Sequence, residues 1–194
     1  ADAPADEPMR NPKAAINVLI ADIEQARQHV HIAFYIWLDD DTGTRVAQAV
    51  AAAARRGVQC RVMIDALGSR AFHGGPLWRL MEAAGVRLLA TLDDVNRIWH
   101  LPLSRVDLRD HRKLAVIDNR IGYCGSQNCA DPEFRVKARF APWVDVLLRC
   151  QGPVVRQMQC LFLSGWIPET GEDELATLPA QEPVEPFADG AVAQ

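Results

Sequence analysis

Three apolar runs of strand length alternate with helical patterns over the first ninety residues, and this limits the chain to few folds. Branched and aromatic residues dominate these runs, which are Val30–Trp37, Val58–Asp65 and Val86–Thr91. Helices are predicted before and between them: about four turns opened by Asn11-Pro12, then Thr44–Arg56, then Leu77–Ala84. Because strands that alternate with helices pair in parallel beneath those helices, the pattern predicts an α/β fold.

The later sequence adds a different kind of element. Lys113–Asp118 and Ile121–Cys124 predict a hairpin around Asn119-Arg120. A further strand is predicted over Trp143–Cys150, and Gly152-Pro153 opens a last amphipathic helix. We therefore expect one α/β sandwich, with a mixed, mostly parallel β-sheet flanked by helices.

Composition divides the chain into one domain and two ends. Its 194 residues suffice for one domain with a real core, which we place at residues 13–166. Residues 1–12 are acidic and contain proline, and we expect a disordered lead-in. Residues 167–194 carry seven acids and no Lys or Arg, which predicts an acidic, proline-rich linker or tail. No apolar run reaches the roughly 18 residues of a membrane span.

Charge and cysteine usage narrow the function. The net charge is −4, yet five basic residues crowd into one stretch: Arg97, Arg105, Arg109, Arg112 and Lys113. A mildly basic surface around the binding site would favour an anionic substrate. The five cysteines form no CxxC pair, so we interpret them as reduced thiols rather than as a disulfide framework or a zinc site.

One motif carries chemistry. His111–Asp118 has the pattern HxKxxxxD, which alone occurs by chance in roughly one chain of this length in a hundred. Six residues later Gly125-Ser126-Gln127-Asn128 forms GSxN, and the joint pattern is far rarer. Alternation along a strand puts His111 and Lys113 on the same side.

These residue types suit phosphoryl chemistry. A neutral His111 imidazole can attack phosphorus and form a phosphohistidine, while Lys113 supplies positive charge to the phosphoryl oxygens. Ser126, Asn128 and the backbone N–H groups of the turn at Gly125 can donate to the same oxygens. This scheme needs no metal and no cofactor, and no metal-ligand pattern is present.

The full spacing HxK(x)4D(x)6GSxN is that of the phospholipase D superfamily, which this chain resembles. The resemblance extends over about Lys13–Trp166 to the first half of bacterial cardiolipin synthases. It is carried by Phe34–Gly43, Ala54–Val58, Ile64–Ser69, Leu108–Lys113, Trp143–Asp145 and Gly152–Val155. Many cardiolipin synthases have two glycines before the asparagine of this turn, whereas Gly125-Ser126-Gln127-Asn128 follows the general superfamily form.

The resemblance implies a phosphatidyltransferase or phospholipase D reaction through a phosphohistidine, with cardiolipin synthesis from phosphatidylglycerol as the expected case. It also implies an acid at Asp145 that pins the His111 imidazole, with a plain ion pair to an arginine as the alternative. Asp118 belongs to the signature, and the family pattern suggests that it fixes the hairpin. Sequence leaves open whether water or an alcohol is the acceptor, and whether His111 is nucleophile or general acid.

Only one HxKxxxxD is present, and the mechanism needs a second group to protonate the leaving alkoxide. The resemblance implies that this second group is another His-Lys pair, which faces the first across a pseudo-two-fold axis. We expect that half on the same polypeptide, with a homodimer as the alternative. It also implies a phospholipid substrate at the cytoplasmic face of the cell membrane, with attachment through segments outside this chain.

Two rival functions stay open. The first is a single-motif nuclease that acts as a homodimer on DNA or RNA, although the net negative charge makes nucleic acid an unfavoured partner. The second is a non-catalytic module for a membrane surface or an assembly, against which the intact signature argues.

Overall fold

The structure, a computed structural model, describes residues 12–92, 109–133 and 145–172. These residues form four helices and six strands. The helices are α1 (Pro12–Gln25), α2 (Asp41–Arg55), α3 (Pro76–Ala83) and α4 (Val154–Thr170). The strands are β1 (His29–Phe34), β2 (Gln59–Asp65), β3 (Arg87–Thr91), β4 (Lys113–Ile117), β5 (Ile121–Gly125) and β6 (Leu147–Gln151). The predicted lead-in before Pro12, most of the predicted tail, and Arg97 and Arg105 lie outside the described residues.

The strands form one sheet in the order β3-β2-β1-β4-β5-β6. β1, β2 and β3 pair in parallel, whereas β4 is antiparallel to β1, β5 to β4 and β6 to β5. The α/β class and the mixed sheet are confirmed. The expected majority of parallel pairings is wrong, because β4 pairs antiparallel with β1, and β5 and β6 then extend the sheet by further antiparallel pairing.

Helices cover both faces of the sheet. α1, α2 and α3 pack on one face, where Val30, Ile32 and Phe34 of β1 are buried with them. Among the described helices, α4 covers the other face, and its Phe162 and Trp166 pack against the intervening residues of the strands. Since alternate side chains of β1 are buried on opposite faces, the whole strand is buried, including the polar His29 and His31.

Helix ends differ from the sequence prediction in two places. α2 begins at Asp41 rather than Thr44, because Asp40 caps it by accepting a hydrogen bond from the Gly43 amide at 2.9 Å. α4 runs to Thr170, beyond the domain boundary predicted at residue 166, and ends at Gly171 with a φ of 72°. In the described part of the chain, no helix has the length and apolarity to span a membrane.

Candidate active site

The sheet register brings the signature segments to one edge. Lys113 lies opposite Phe34, the last residue of β1, and Gly125 at the end of β5 lies opposite Leu147 at the start of β6. Leu114 pairs with Cys124, which places the start of β4 beside the end of β5. Antiparallel pairing therefore gathers HxK and GSxN, which are separated in sequence, at the carboxyl end of β1.

His111 and Lys113 both contact Tyr35, the residue after β1. The His111 side chain is exposed, and its ring centroid lies 4.1 Å from that of Tyr35 with 33° between the planes. Lys113 Nζ lies 5.4 Å from the same centroid and donates to the His111 carbonyl oxygen at 2.8 Å. The structure thus brings together the two side chains that the motif singles out.

Two nearby carboxylates act on the Lys113 charge. Partial burial lowers the pKa of Lys113, while the negative charges of Asp145 and Asp110 raise it and offset part of that effect. The ammonium group is therefore partly desolvated at the sheet edge. A partly desolvated cation interacts more strongly with a phosphoryl oxygen than a fully hydrated one does.

The GSxN turn is fixed to the start of β6. Ser126 Oγ donates to Asp145 Oδ1 at 2.8 Å and accepts from the Val146 amide at 3.1 Å. A Cβ on Gly125 would lie 2.0 Å from the Val146 carbonyl oxygen, so only glycine allows this approach. The turn can present Ser126 because its backbone contacts β6 so closely.

Asn128 is anchored from the other side, by β1. Its Oδ1 accepts from the Ile36 amide at 3.1 Å, which leaves the Nδ2 end as its donor group. The next residue, Cys129, accepts from Leu38 N and donates to the Ile36 carbonyl oxygen, each at 3.1 Å. Asn128, which is predicted to bind the phosphate, therefore lies on a segment that is hydrogen-bonded to the backbone directly after Tyr35.

The predicted hydrogen bond between Asp145 and His111 does not form among the described residues. The Asp145 carboxylate accepts from Ser126, whereas the His111 ring packs on Tyr35. Asp145 also lies before β6, which begins at Leu147, rather than on a strand. The register explains this: Ser126 lies opposite Val146, so the carboxylate next to Val146 meets the serine hydroxyl first.

The structure does not bring Asp118 to this edge, although the signature places it among the candidate catalytic residues. It follows β4 at the opposite end, about 16 Å from Lys113 at ~3.3 Å per residue. Its Oδ1 accepts from the amides of Gln28 and His29 at 2.8 and 2.9 Å, and its Oδ2 from Arg27 at 2.9 Å. These contacts support the hairpin role suggested by the family pattern rather than a part in the chemistry.

Two residues that the sequence reasoning missed, Asp65 and Ser69, shape the site. Asp65, at the end of β2, accepts from Gly68 N at 2.8 Å and from the Asp110 amide at 3.2 Å, just before His111. Ser69 Oγ donates to the Tyr35 carbonyl oxygen at 3.0 Å. These residues could have been identified from their position, because polar residues at or shortly after the carboxyl ends of buried parallel strands meet at one edge of the sheet.

Arg112, one of the five clustered basic residues, points away from the site. Its guanidinium pairs with both oxygens of Asp110 and donates to the Leu161 carbonyl oxygen at 2.7 Å, under α4. A Cβ on Gly165 would lie 2.1 Å from this guanidinium, which shows how closely it packs. Arg112 is therefore structural, whereas Lys113 faces the site. Among residues 12–92, 109–133 and 145–172, no group of three or more His, Cys, Asp or Glu could hold a metal.

Comparison with known proteins gives a consistent family. The family model described as "Cardiolipin synthase, PLD-like domain" matches residues 19–164. Cardiolipin synthase A of Edwardsiella ictaluri is 43% identical over 158 residues, which is 81% of this chain and 32% of the relative. That of Serratia proteamaculans is 41% identical over 160 residues, or 82% and 32%. The chain spans about a third of the length of these curated relatives.

Solved structures share the fold. NucT from Helicobacter pylori has a TM-score of 0.60 at 20% identity, over 83% of this chain and 93% of that one. Nuc from Salmonella typhimurium, described as a phospholipase D family member, has a TM-score of 0.55 at 18% identity, over 77% and 85%. At these identities the likeness concerns the fold alone.

Proposed function

The chain belongs to the family of cardiolipin synthase phospholipase D-like domains, and on that premise we propose that it carries one half of a phosphatidyltransferase active site. The observation that carries the proposal is the meeting of His111 and Lys113 with the GSxN turn at one edge of the sheet. The sequence identity of about 41–43% to cardiolipin synthase A supports phosphatidylglycerol as donor and an alcohol as acceptor.

The reaction is a double displacement at phosphorus. An imidazole nitrogen of His111 attacks the phosphodiester, so that an N–P bond forms and the P–O bond to the leaving glycerol breaks. Lys113 and the donors of Ser126 and Asn128 stabilise the charge that grows on the phosphoryl oxygens. An acceptor alcohol then displaces the histidine and restores the imidazole. Water in place of that alcohol would give simple hydrolysis by the same steps.

A second half must supply the proton for the leaving alkoxide and later remove one from the acceptor. We assign this role to another His-Lys pair on the same polypeptide, because the chain matches only 32% of the length of its relatives. A homodimer of this chain is the competing arrangement. We further propose that the protein works at the cytoplasmic face of the cell membrane, attached through segments outside the 194 residues.

The test is a trapping experiment on the longer protein that carries both halves. After a pulse of phosphatidylglycerol vesicles and a quench without acid, intact-mass and peptide spectra should locate a phosphatidyl adduct on His111. His111→Ala should lose the adduct and the turnover while keeping the fold, since an exposed imidazole contributes little core area. His73→Ala, which removes a partly exposed imidazole that meets the Trp78 ring edge-on, is the control and should keep both.

Other outcomes would redirect the proposal. An adduct on a histidine of the second half would make His111 the general acid. No adduct with any phospholipid, together with cleavage of DNA or RNA, would replace the transferase by the nuclease alternative.

A further inference from the structure

We propose that Tyr35 is a positioning residue that orients the His111 imidazole and the Lys113 ammonium with its ring faces. The proposal rests on the function proposed above, because it assigns these two groups to phosphoryl transfer. Tyr35 itself touches neither phosphate nor leaving group in this scheme. It acts through the two side chains that do.

The contacts of the ring carry the argument. The His111 ring lies at 4.1 Å between centroids and 33° between planes, a close contact just below the roughly 4.5–7 Å of most aromatic pairs. Lys113 Nζ lies 5.4 Å from the Tyr35 centroid, inside the roughly 6 Å limit for a cation–π contact. One ring therefore meets both chemical groups of HxK, although it comes from a strand more than seventy positions earlier.

Tyr35 can position neighbouring side chains because its own position is fixed by the loop after β2. A Cβ on Gly68 would lie 2.4 Å from the Tyr35 carbonyl oxygen and 2.9 Å from ring carbon Cε2, so the loop backbone packs directly on the tyrosine. Ser69, fully buried, donates to the Tyr35 carbonyl oxygen at 3.0 Å and accepts from Trp37 N at 2.9 Å. The ring thus has backbone on one side and the imidazole on another.

The imidazole needs such support. His111 precedes β4 and is exposed, and Asp145 is engaged by Ser126 rather than by the imidazole. In the described part of the site, the tilted ring contact with Tyr35 is the side-chain interaction shown for His111, and we infer that it restricts the rotation of the imidazole. A nucleophile that is free to rotate loses the near-attack geometry on which rate depends.

Three variants separate the ring from the hydroxyl. Tyr35→Phe keeps the ring and should keep activity within about twofold, because the described contacts involve the ring faces. Tyr35→Leu should lower kcat by roughly 10- to 100-fold, the range expected for a misplaced catalytic group, while KM changes less. Gly68→Ala should also lower kcat, because its methyl group would clash with both the carbonyl oxygen and the ring of Tyr35 and so displace the tyrosine. Trp78→Leu, which removes another half-buried aromatic ring from a histidine, is the control and should leave kcat unchanged.

A second readout does not depend on any substrate. In the 194-residue chain labelled at histidine, the ring protons of His111 should carry an upfield NMR shift from the Tyr35 ring. Tyr35→Leu should abolish that shift and Tyr35→Phe should keep it. If the shift behaves as expected while neither the chain nor the longer protein transfers phosphatidyl groups, the positioning contact stands and the proposed function fails. Equal kcat for Tyr35→Leu and wild type, or equal losses for the Leu and Phe variants, would overturn the positioning role.

Discussion

Asp118 offers the sharpest test, because it stands in the chemical signature yet the structure gives it a purely structural position. Its carboxylate accepts three hydrogen bonds at the start of β1, from the backbone N–H groups of Arg27, Gln28 and His29. Hydrogen bonds to a charged group contribute about 1.5–3 kcal/mol when buried. Two of these three are exposed to solvent, so we assign about 1 kcal/mol to each and about 3 kcal/mol to the set.

Backbone conformation decides which substitution is the clean one. Asp118 and Asn119 both have a φ of 52°, as the central residues of a type I′ turn require. Alanine at position 118 would add about 1 kcal/mol of left-handed strain to the lost hydrogen bonds, whereas glycine would add none. Asparagine at the same position would tolerate this φ, and its amide oxygen could keep two of the three contacts.

The expected loss in the free energy of unfolding is therefore about 3 kcal/mol for Asp118→Gly, about 4 for Asp118→Ala and about 1–2 for Asp118→Asn. Urea denaturation followed by tryptophan fluorescence measures it, and with an m-value of about 2 kcal/mol/M the Gly midpoint should fall by about 1.5 M. The kcat of each folded variant should stay near wild type. Arg120→Ala, at an exposed position of the same turn, is the control and should shift the midpoint little.

Two results would refute this reasoning. An Asp118→Gly variant with the wild-type midpoint would show that the three hydrogen bonds contribute nothing to stability. A folded Asp118→Asn variant whose kcat falls by more than about a hundredfold would return Asp118 to the catalytic machinery.

Two further predictions follow from charge. The Asp145 carboxylate raises the pKa of Lys113 and so opposes the effect of burial. Asp145→Asn should therefore lower the pKa of Lys113 further and move the alkaline limb of the kcat/KM profile to lower pH. An unchanged alkaline limb would contradict this. A hydrogen bond with Cys150 lowers the pKa of Cys124 to about 7, whereas burial raises that of Cys60 to about 12. Iodoacetamide at a pH of about 8 should therefore label Cys124 well before Cys60 in peptide maps, and equal labelling would contradict it.

Much of the fold could be predicted because local pattern and tertiary structure agree. The alternation of apolar runs with helical patterns predicted β1, β2 and β3 with their helices, each within a few residues. The predicted hairpin from Lys113 to Cys124 matches β4 and β5. This hairpin brings HxK and GSxN together, because it returns the end of its second strand to the start of its first.

The end of α4 could not be predicted from composition, because distant residues hold it. Acid and proline after Trp166 indicated a tail, yet the helix continues to Thr170. Glu172, just beyond it, accepts from Trp166 Nε1 at 3.3 Å and pairs with the guanidinium groups of Arg61 and Arg87. Those arginines lie on β2 and β3, so only the folded sheet brings them to this acid.

Tyr35 and Asp145 show the same limit inside the site. The family resemblance implied that Asp145 lies near His111, whereas the register of β5 and β6 places its carboxylate in a hydrogen bond with Ser126. Tyr35 belonged to a run that a buried strand explains fully, so nothing local marked it as a neighbour of the signature. Its contact with His111 depends on β4 pairing with β1, a long-range choice that the sequence does not encode locally.

That pairing also explains why the site lies where it does. β1 is the strand at which the sheet changes from parallel pairing with β2 to antiparallel pairing with β4. The loops after β1 and β2 therefore leave from the edge at which β4 begins. They contribute Tyr35, which contacts His111, and Gly68 and Ser69, which contact Tyr35. In open α/β sheets, ligands bind outside the carboxyl ends of the strands where the topology changes. Under the proposed function a phosphate at this edge would meet His111, whose ring contacts Tyr35, and Tyr35 in turn packs on the loop after β2. Variants of the Gly68 loop should therefore alter kcat although they lie outside the signature.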